Sequence, residues 1–309
     1  MNYAFMNASH TPLCLIVGFS AASASDDLAH LIATPLGEQL HRQVVIKRIA
    51  GESGTLGAQA VAQSAPDGNT LFIAPLGTHA LAPHLRKARK APDNLPYDAL
   101  RDFAPVSLLT QAPMLLACHP ALPAQDLPAF IAHARAHPAA LAYGTSAFGG
   151  APHLAAELFQ AVTGIELRHA RYTETEQLYA DLEAGRIALS FNNISSMLPR
   201  CTSGKLRALG VTSAQRSAAA PDIPVLAEYG VAGCEVSNWL GLVAPSATPA
   251  ALVNALSQAA AAVIGSAGVA AVLNAAGITP CGTTPVAFKN FMAEELDRWG
   301  PVVARFTPA

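Results

Sequence analysis

The chain has 309 residues, of which 51% are hydrophobic and 13% charged, with a net charge of −2 and a pI near 6.5. That length suits about two domains, each able to bury a core, and the composition excludes a disordered chain, which needs low hydrophobicity and high net charge. It also excludes a membrane span, since no stretch approaches the ~20 unbroken apolar residues required, and it lacks the basic stripe of a nucleic-acid binder.

In chain order, residues 13–17 are apolar and strand-like. Ser25 and Asp26 then precede Leu28, Leu31, Ile32, Leu36 and Leu40 at helical spacing, and Pro35 is predicted to kink or shorten that helix. A strand at 44–47, a helix at 55–65 and a strand at 71–74 follow, the last behind the turn signal APDGNT. This βαβαβ order predicts a mostly parallel sheet with helices on both faces. A second series holds strands at 106–110, 114–117, 141–143, 165–169, 187–191 and 206–211, with helices at 127–136, 152–163, 174–184 and 194–203. After a strand at 240–244 the pattern holds helices alone, at 249–264, 269–275 and 286–306. A strand-poor C-terminus must pack on an existing sheet. One lobe is therefore expected from 1–110 plus 238–309, a second from 111–237, with crossings near 110–113 and 236–241.

Arg86, Lys87, Arg89 and Lys90 form the one basic cluster, in a Pro-flanked stretch that reads as a solvated loop. Cys14, Cys118, Cys201, Cys234 and Cys281 are scattered without a C-x-x-C pair or zinc spacing, which fits small buried hydrophobes and leaves room for a disulfide. The first twelve residues lack the basic and long apolar segments of a secretory signal. Two readings stay open: a signal replaced by a short leader, or a protein that stays in the cytoplasm.

Ligands of open α/β sheets bind beyond the carboxyl ends of strands. The segments there are 18–25, 51–55, 76–79, 144–151, 172–175 and 192–195, nearly all rich in Gly, Ser, Thr or Asn and leading into helices. Helix starts carry unpaired N–H groups and partial positive charge, so several together make an anion site without basic side chains. Gly51, Gly54 and Gly57 do not form a dinucleotide fingerprint and read as turn and packing glycines. Gly144-Thr145-Ser146-Ala147-Phe148 fails the nucleophile-elbow pattern at its last position and reads as an anion loop or a plain turn. His133 and His137, four apart on a helix, lack a third metal ligand. His79 and His153 sit near helix starts, for a backbone hydrogen bond or a ligand contact, and Trp239 packs at the second crossing or stacks on a ligand.

The segments APDGNTLFIAPLGTHALAPHL (65–85), LPYDALRDFAPVSLL (95–109), YGTSAFGGAPHLAAELF (143–159), SGKLRALGVTSAQRSAAAPDIPVLAEYGVAG (203–233) and WLGLVAPSATPAALV (239–253) occur in an order and spacing that resembles the tripartite tricarboxylate transporter receptors, the Bug family of periplasmic solute-binding proteins. The resemblance implies an α/β fold of the type II periplasmic-binding-protein kind, with two lobes, a hinge and an interlobe cleft. It implies a monomeric, periplasmic receptor that hands a small carboxylate to membrane transporter subunits, with no cofactor, metal, catalysis or nucleic-acid partner. The matching ligand positions are Phe19, Ser20, Ala22, Ser23, Ser25 and Asp26 in the first loop, Thr78, then Thr145, Ser146 and Phe148, and Asn192; His153 and Thr173 complete the set.

Several loops depart from the family pattern. Pro-Phe-Pro-Pro-Gly-Gly becomes Gly18-Phe19-Ser20-Ala21-Ala22-Ser23, Glu-Asn-Arg-Pro-Gly becomes Lys47-Arg48-Ile49-Ala50-Gly51, Tyr-Lys-Gly becomes Tyr172-Thr173-Glu174, and Phe-Asp-Asn becomes Phe191-Asn192-Asn193. The Thr173-Glu174 exchange removes a cation and adds an anion, so a monocarboxylate or amino acid is expected rather than citrate. Alternatives from other classes are a ligand sensor for a signalling partner, an orphan binder with an altered site, and a hydrolase using Ser146.

Overall fold

Strand β1 (Leu13–Val17) is fully apolar and buried on both faces, as a central parallel strand must be. The computed structural model describes residues 11–19, 21, 23–88, 95–146 and 149–306. Helix α1 (Ala24–Leu40), strand β2 (Val44–Arg48), helix α2 (Thr55–Ala62) and strand β3 (Thr70–Pro75) follow, and β1 pairs in parallel with both β2 and β3. A π-helical turn over Gly77–Leu81 leads into α3 (Ala82–Ala88) and then β4 (Phe103–Cys118). The second series comprises α4 (Leu127–Ala136), β5 (Ala142–Thr145), α5 (Ala151–Thr163), β6 (Arg168–Arg171), α6 (Thr175–Glu183), β7 (Leu189–Asn193), α7 (Ile194–Thr202) and β8 (Arg207–Val211). The chain ends with β9 (Ser237–Pro245), α8 (Ala250–Ile264), α9 (Ala267–Ala275), β10 (Thr279–Pro280) and α10 (Pro285–Phe306).

The chain divides into two units. One is Met1–Gln111 with Trp239–Leu273 and Thr279–Ala309; the other is Ala112–Asn238 with Asn274–Ile278. The first unit has the strand order β2-β1-β3-β9-β4, with β9 antiparallel to β3 and β10 antiparallel to β4 at Thr110–Gln111. In the second, β5 lies between β6 and β7 in parallel, and β7 and β8 flank β4 in antiparallel register. Asn274–Ile278 groups with the second unit because Gly277 closes on Ile194: a Cβ there would come within 2.8 Å of Ile194 Cγ2, and its φ of +73° also favours glycine.

Several local expectations are corrected. Pro35 does not end α1, which runs 17 residues to a left-handed cap at His41. Burial of Leu36 and Leu40 beyond the proline, at about 1.5–3 kcal/mol each, offsets its cost of about 3 kcal/mol. The strands expected at 106–110 and 114–117 are one strand, β4; Pro113 sits just ahead of Met114, where the register with β7 begins, so its missing N–H does not interrupt that ladder. The strand expected at 165–169 is moved to Arg168–Arg171, and a short strand, β10, interrupts the C-terminal helices. Arg86 and Lys87 are helical, in α3, whereas Arg89 and Lys90 lie outside the described residues. All five cysteines are free thiols, and burial raises the pKa of Cys118, Cys201 and Cys281 to about 11.

Trp239 is fully buried and packs in the core. Its ring packs edge-on against Phe288 and Phe291 of α10, and its indole N–H donates to Glu295 Oε2 at 2.9 Å. Trp299 donates to the same oxygen at 3.0 Å, so one buried carboxylate satisfies two buried indoles and pins α10 to β9. Glu295→Ala strands both N–H groups and is expected to cost about 2–4 kcal/mol in urea unfolding. Glu295→Gln keeps an acceptor oxygen and should lose clearly less; equal losses would remove the shared-acceptor account.

His79 is fully buried, its ring set against Phe72, Tyr97 and Phe103, with Nδ1 2.8 Å from Thr78 Oγ1 and Nε2 without a partner. Burial pushes its pKa down to about 3. The unfolded chain, titrating near ~6.5, therefore takes up a proton that the folded one refuses. Stability is complete above pH 6.5 and falls as the pH drops from there towards 3. At pH 5 the loss from this ring is about 2 kcal/mol. Urea unfolding at pH 7 and pH 5 should show a smaller loss for His79→Asn than for the wild type, and parallel losses would rule the ring out as its source.

Candidate functional site

In the second unit, β5, β6 and β7 run parallel, so their C-terminal ends fall on one edge, and each leads into a helix there. The N-cap residues of α5, α6 and α7 are Gly150, Glu174 and Asn193, and none supplies a side-chain cap. By contrast, α4 is capped by Asp126, whose Oδ1 accepts from Ala129 N at 2.8 Å. Three helix starts at the ends of neighbouring parallel strands thus keep first-turn N–H groups unclaimed by a side-chain cap.

The polar side chains at that edge are arranged as donors. Thr175 donates its hydroxyl to Ser146 Oγ at 3.1 Å, leaving the half-buried Ser146 its own proton to give. Tyr172 N donates to Thr145 O at 3.0 Å, tying the two loops together. Asn193 is used internally, accepting from Asn238 Nδ2 at 3.1 Å, whereas its neighbour Asn192 is only 6% exposed and its Nδ2 has no partner. A buried amide without a partner costs free energy and needs a reason. Arg171 is the register partner of Thr145 and brings a cation to the same edge; Thr173 and Glu174 are exposed on the connection that follows.

Behind this edge lies a buried polar cluster. Thr145, 1% exposed, has Oγ1 2.7 Å from His169 Nε2. The His169 ring stacks on Tyr143 and on His153, both at 4.7 Å between centroids. His153, in the first turn of α5, accepts from Gly149 N at 3.2 Å, so it serves the loop backbone, and its Nε2 lies 3.7 Å from Glu157 Oε1. That carboxylate oxygen also accepts from the Tyr143 hydroxyl and from Gln160 Nε2. Burial and this bond push the Tyr143 pKa far up, so its phenol stays neutral.

In the first unit, β1, β2 and β3 also end on one edge. Phe19 and Thr78 meet there over Gly54: a Cβ at Gly54 would lie 2.7 Å from Phe19 Cε2 and 3.0 Å from Thr78 Cγ2, and its φ is +90°. Ser23 caps α1, accepting from Asp26 N at 3.3 Å. Ser25 is buried, and Asp26 takes two bonds from Arg48, 2.6 Å from Nε and 3.1 Å from Nη2, which commits its charge to that partner. Thr78 is fully buried, donating to Pro75 O at 3.2 Å beside His79. Ser20, Ala22 and Phe148 lie outside the described residues.

The structure thus gathers Thr145, Ser146, Thr173 and Asn192 on one unit's strand ends, with His153 behind them, and Phe19, Ser23, Ser25, Asp26 and Thr78 on the other's. Two residues that sequence patterns did not single out join the first group, Thr175 and His169. The signal for His169 was alternation: in Arg168-His169-Ala170-Arg171 it shares a face with Arg171, legible once the strand is given its correct register. His133 and His137 stack at 4.5 Å, and among the described residues no group of three His, Cys, Asp or Glu is placed to hold a metal.

Comparison with known proteins adds the context. Residues 28–307 match the model of the tripartite tricarboxylate transporter family receptor. The chain is 33% identical over 292 residues to Protein BugT of Bordetella pertussis, covering 94% of this chain and 88% of that one. Among solved structures it is similar to R. palustris Rpa4515 with adipate, at 34% identity and a TM-score of 0.85 over 95% of this chain and 97% of that one. It is also similar to MatC from Rhodopseudomonas palustris with bound malate, at 28% identity and a TM-score of 0.81 over 94% and 98%. With nearly its whole length matched in sequence and in fold, this chain belongs to the tripartite tricarboxylate transporter receptor family.

Proposed function

We propose that this chain is a periplasmic solute receptor that captures a small carboxylate and delivers it to the membrane subunits of a tripartite tricarboxylate-type transporter. The observation that carries the reading is the second unit's edge, where three helices start without side-chain caps around the unpartnered amide of Asn192 and the hydroxyl of Ser146. Such an edge binds an anion with dipoles and hydrogen-bond donors rather than with a pool of cations. The two units serve as the lobes of the receptor, and the function is binding rather than catalysis. Ser146 has a Thr hydroxyl beside it, and the nearby imidazole of His169 meets Thr145 instead.

The ligand class we favour is a small dicarboxylate. The exchange at Thr173 and Glu174 argued for a single carboxylate, but Arg171, two residues earlier on β6, restores a cation at that edge. Glu174 itself is exposed at the start of α6, where the helix dipole favours a carboxylate. Relatives solved with adipate and malate support the same class.

Calorimetric titration with adipate, malate, hexanoate and glutamate is expected to rank a dicarboxylate above hexanoate, which keeps the chain of adipate and loses one carboxylate. Tighter binding of hexanoate would refute the dicarboxylate reading. Ser146→Ala and Asn192→Ala each remove one hydrogen bond to a charged group, worth about 1.5–3 kcal/mol, and should weaken binding about tenfold to a hundredfold. Wild-type affinity in both variants would move the site elsewhere.

A further inference from the structure

The polar cluster behind Thr145 is more elaborate than packing requires. Two histidines, one of them half-buried, pack with the buried Tyr143; His153 accepts from the loop backbone at Gly149, and Tyr143 donates to Glu157. The bond from Gly149 N makes His153 Nδ1 an acceptor, so the neutral ring carries its proton on Nε2, facing Glu157 at 3.7 Å. The rings of His169, Tyr143 and His153 pack mutually and near-parallel, with Tyr143 and His153 themselves 6.4 Å apart, and His169 Nε2 lies 2.7 Å from Thr145 Oγ1.

Thr145 has a single hydroxyl proton, and His169 decides where it goes. If Nε2 accepts, the proton is consumed inside the protein and Thr145 offers a ligand only lone pairs. If Nε2 carries the hydrogen and donates, the hydroxyl proton is left for an acceptor on the ligand. We propose that His169 is a positioning residue that donates through Nε2 to Thr145, turning its hydroxyl into a donor for the ligand carboxylate and linking ligand capture to protonation of the ring. The inference rests on the carboxylate-receptor reading and adds the group that sets the polarity of its loop.

Among the described residues, Tyr143 and Thr145 from β5, His153 from α5 with Glu157 one turn further along, and Arg171 on its own strand face His169. Burial and Arg171 both lower its pKa, so the unliganded ring is neutral at neutral pH. A carboxylate arriving in front of Thr145 raises that pKa, because opposite charge favours the protonated form. The protonated ring can only donate at Nε2, the state that suits the bound anion.

Imidazole ¹⁵N NMR of the unliganded protein at pH 7.5, with the His169 signals identified by their loss in His169→Gln, tests the hydrogen bond itself. The Nε2–H tautomer is expected to dominate, and Thr145→Val should relax it towards a mixture and shift the ring's titration. An Nδ1–H tautomer in the wild type, or no response to Thr145→Val, overturns the proposal. Adipate titrations between pH 8 and pH 6 test the linkage. The wild type should bind more tightly and take up protons as the pH falls. His169→Gln, which keeps an N–H donor, should retain affinity with a flat profile, and His169→Phe should lose about tenfold or more. Identical pH profiles in the wild type and His169→Gln overturn the linkage. Failure of adipate to bind any form counts against the dicarboxylate reading, and the tautomer still decides the role of His169.

Discussion

Parallel strand pairing is the constraint on which the rest of the structure depends. β5 can lie parallel to β6 and β7 only if the chain returns along a crossover each time, and each crossover here is a helix that begins where a strand ends. The N-termini of α5, α6 and α7 therefore fall on the same edge. The same logic holds for β1, β2 and β3 in the other unit. A chain with only 13% charged residues can thus present an anion-attracting surface, because the positive character comes from peptide dipoles placed by topology.

What differs between the two units is how their strand-end polar groups are employed. In the first, Asp26 is bound by Arg48, Ser23 caps α1 and Thr78 donates to Pro75. Those groups hold the loops in shape. In the second, α5, α6 and α7 lack side-chain caps, as α2 does in the first, Ser146 retains a proton, and the Asn192 amide has no partner, as His79 Nε2 has none in the first. Buried polar groups are nearly always satisfied within a fold.

Polar pairs in the interior also anchor the elements. One carboxylate oxygen of Glu295 serves both tryptophans and ties the last helix to β9. Glu157 does similar work behind β5, accepting from Tyr143 and Gln160. Around Glu295, which is 7% exposed, the two indoles and Phe288 surround a carboxylate supplied with donors, the condition under which such burial is tolerated; Glu157 is only half-buried.

The one-dimensional pattern determined most of the elements. Apolar spacing located α1 on Leu28, Ile32, Leu36 and Leu40, the helical pattern located α4 on 127–136, and the turn before β3 was readable in APDGNT. The Gly, Ser, Thr and Asn residues at the strand ends were legible as the loops that lead into helices. The sequence could not show that Pro35 and Pro113 leave their elements intact, because tolerance there depends on burial and on where a ladder begins. Nor could it show that Asp26 is engaged by Arg48, 22 residues away, or that Asn192 has no partner while Asn193 does. His169 reached Thr145 through a strand register, and register depends on which residues of separate strands lie side by side. Local spacing dictates which backbone segments form helices and strands; only tertiary packing decides which polar atoms find partners inside the protein and which remain for a ligand.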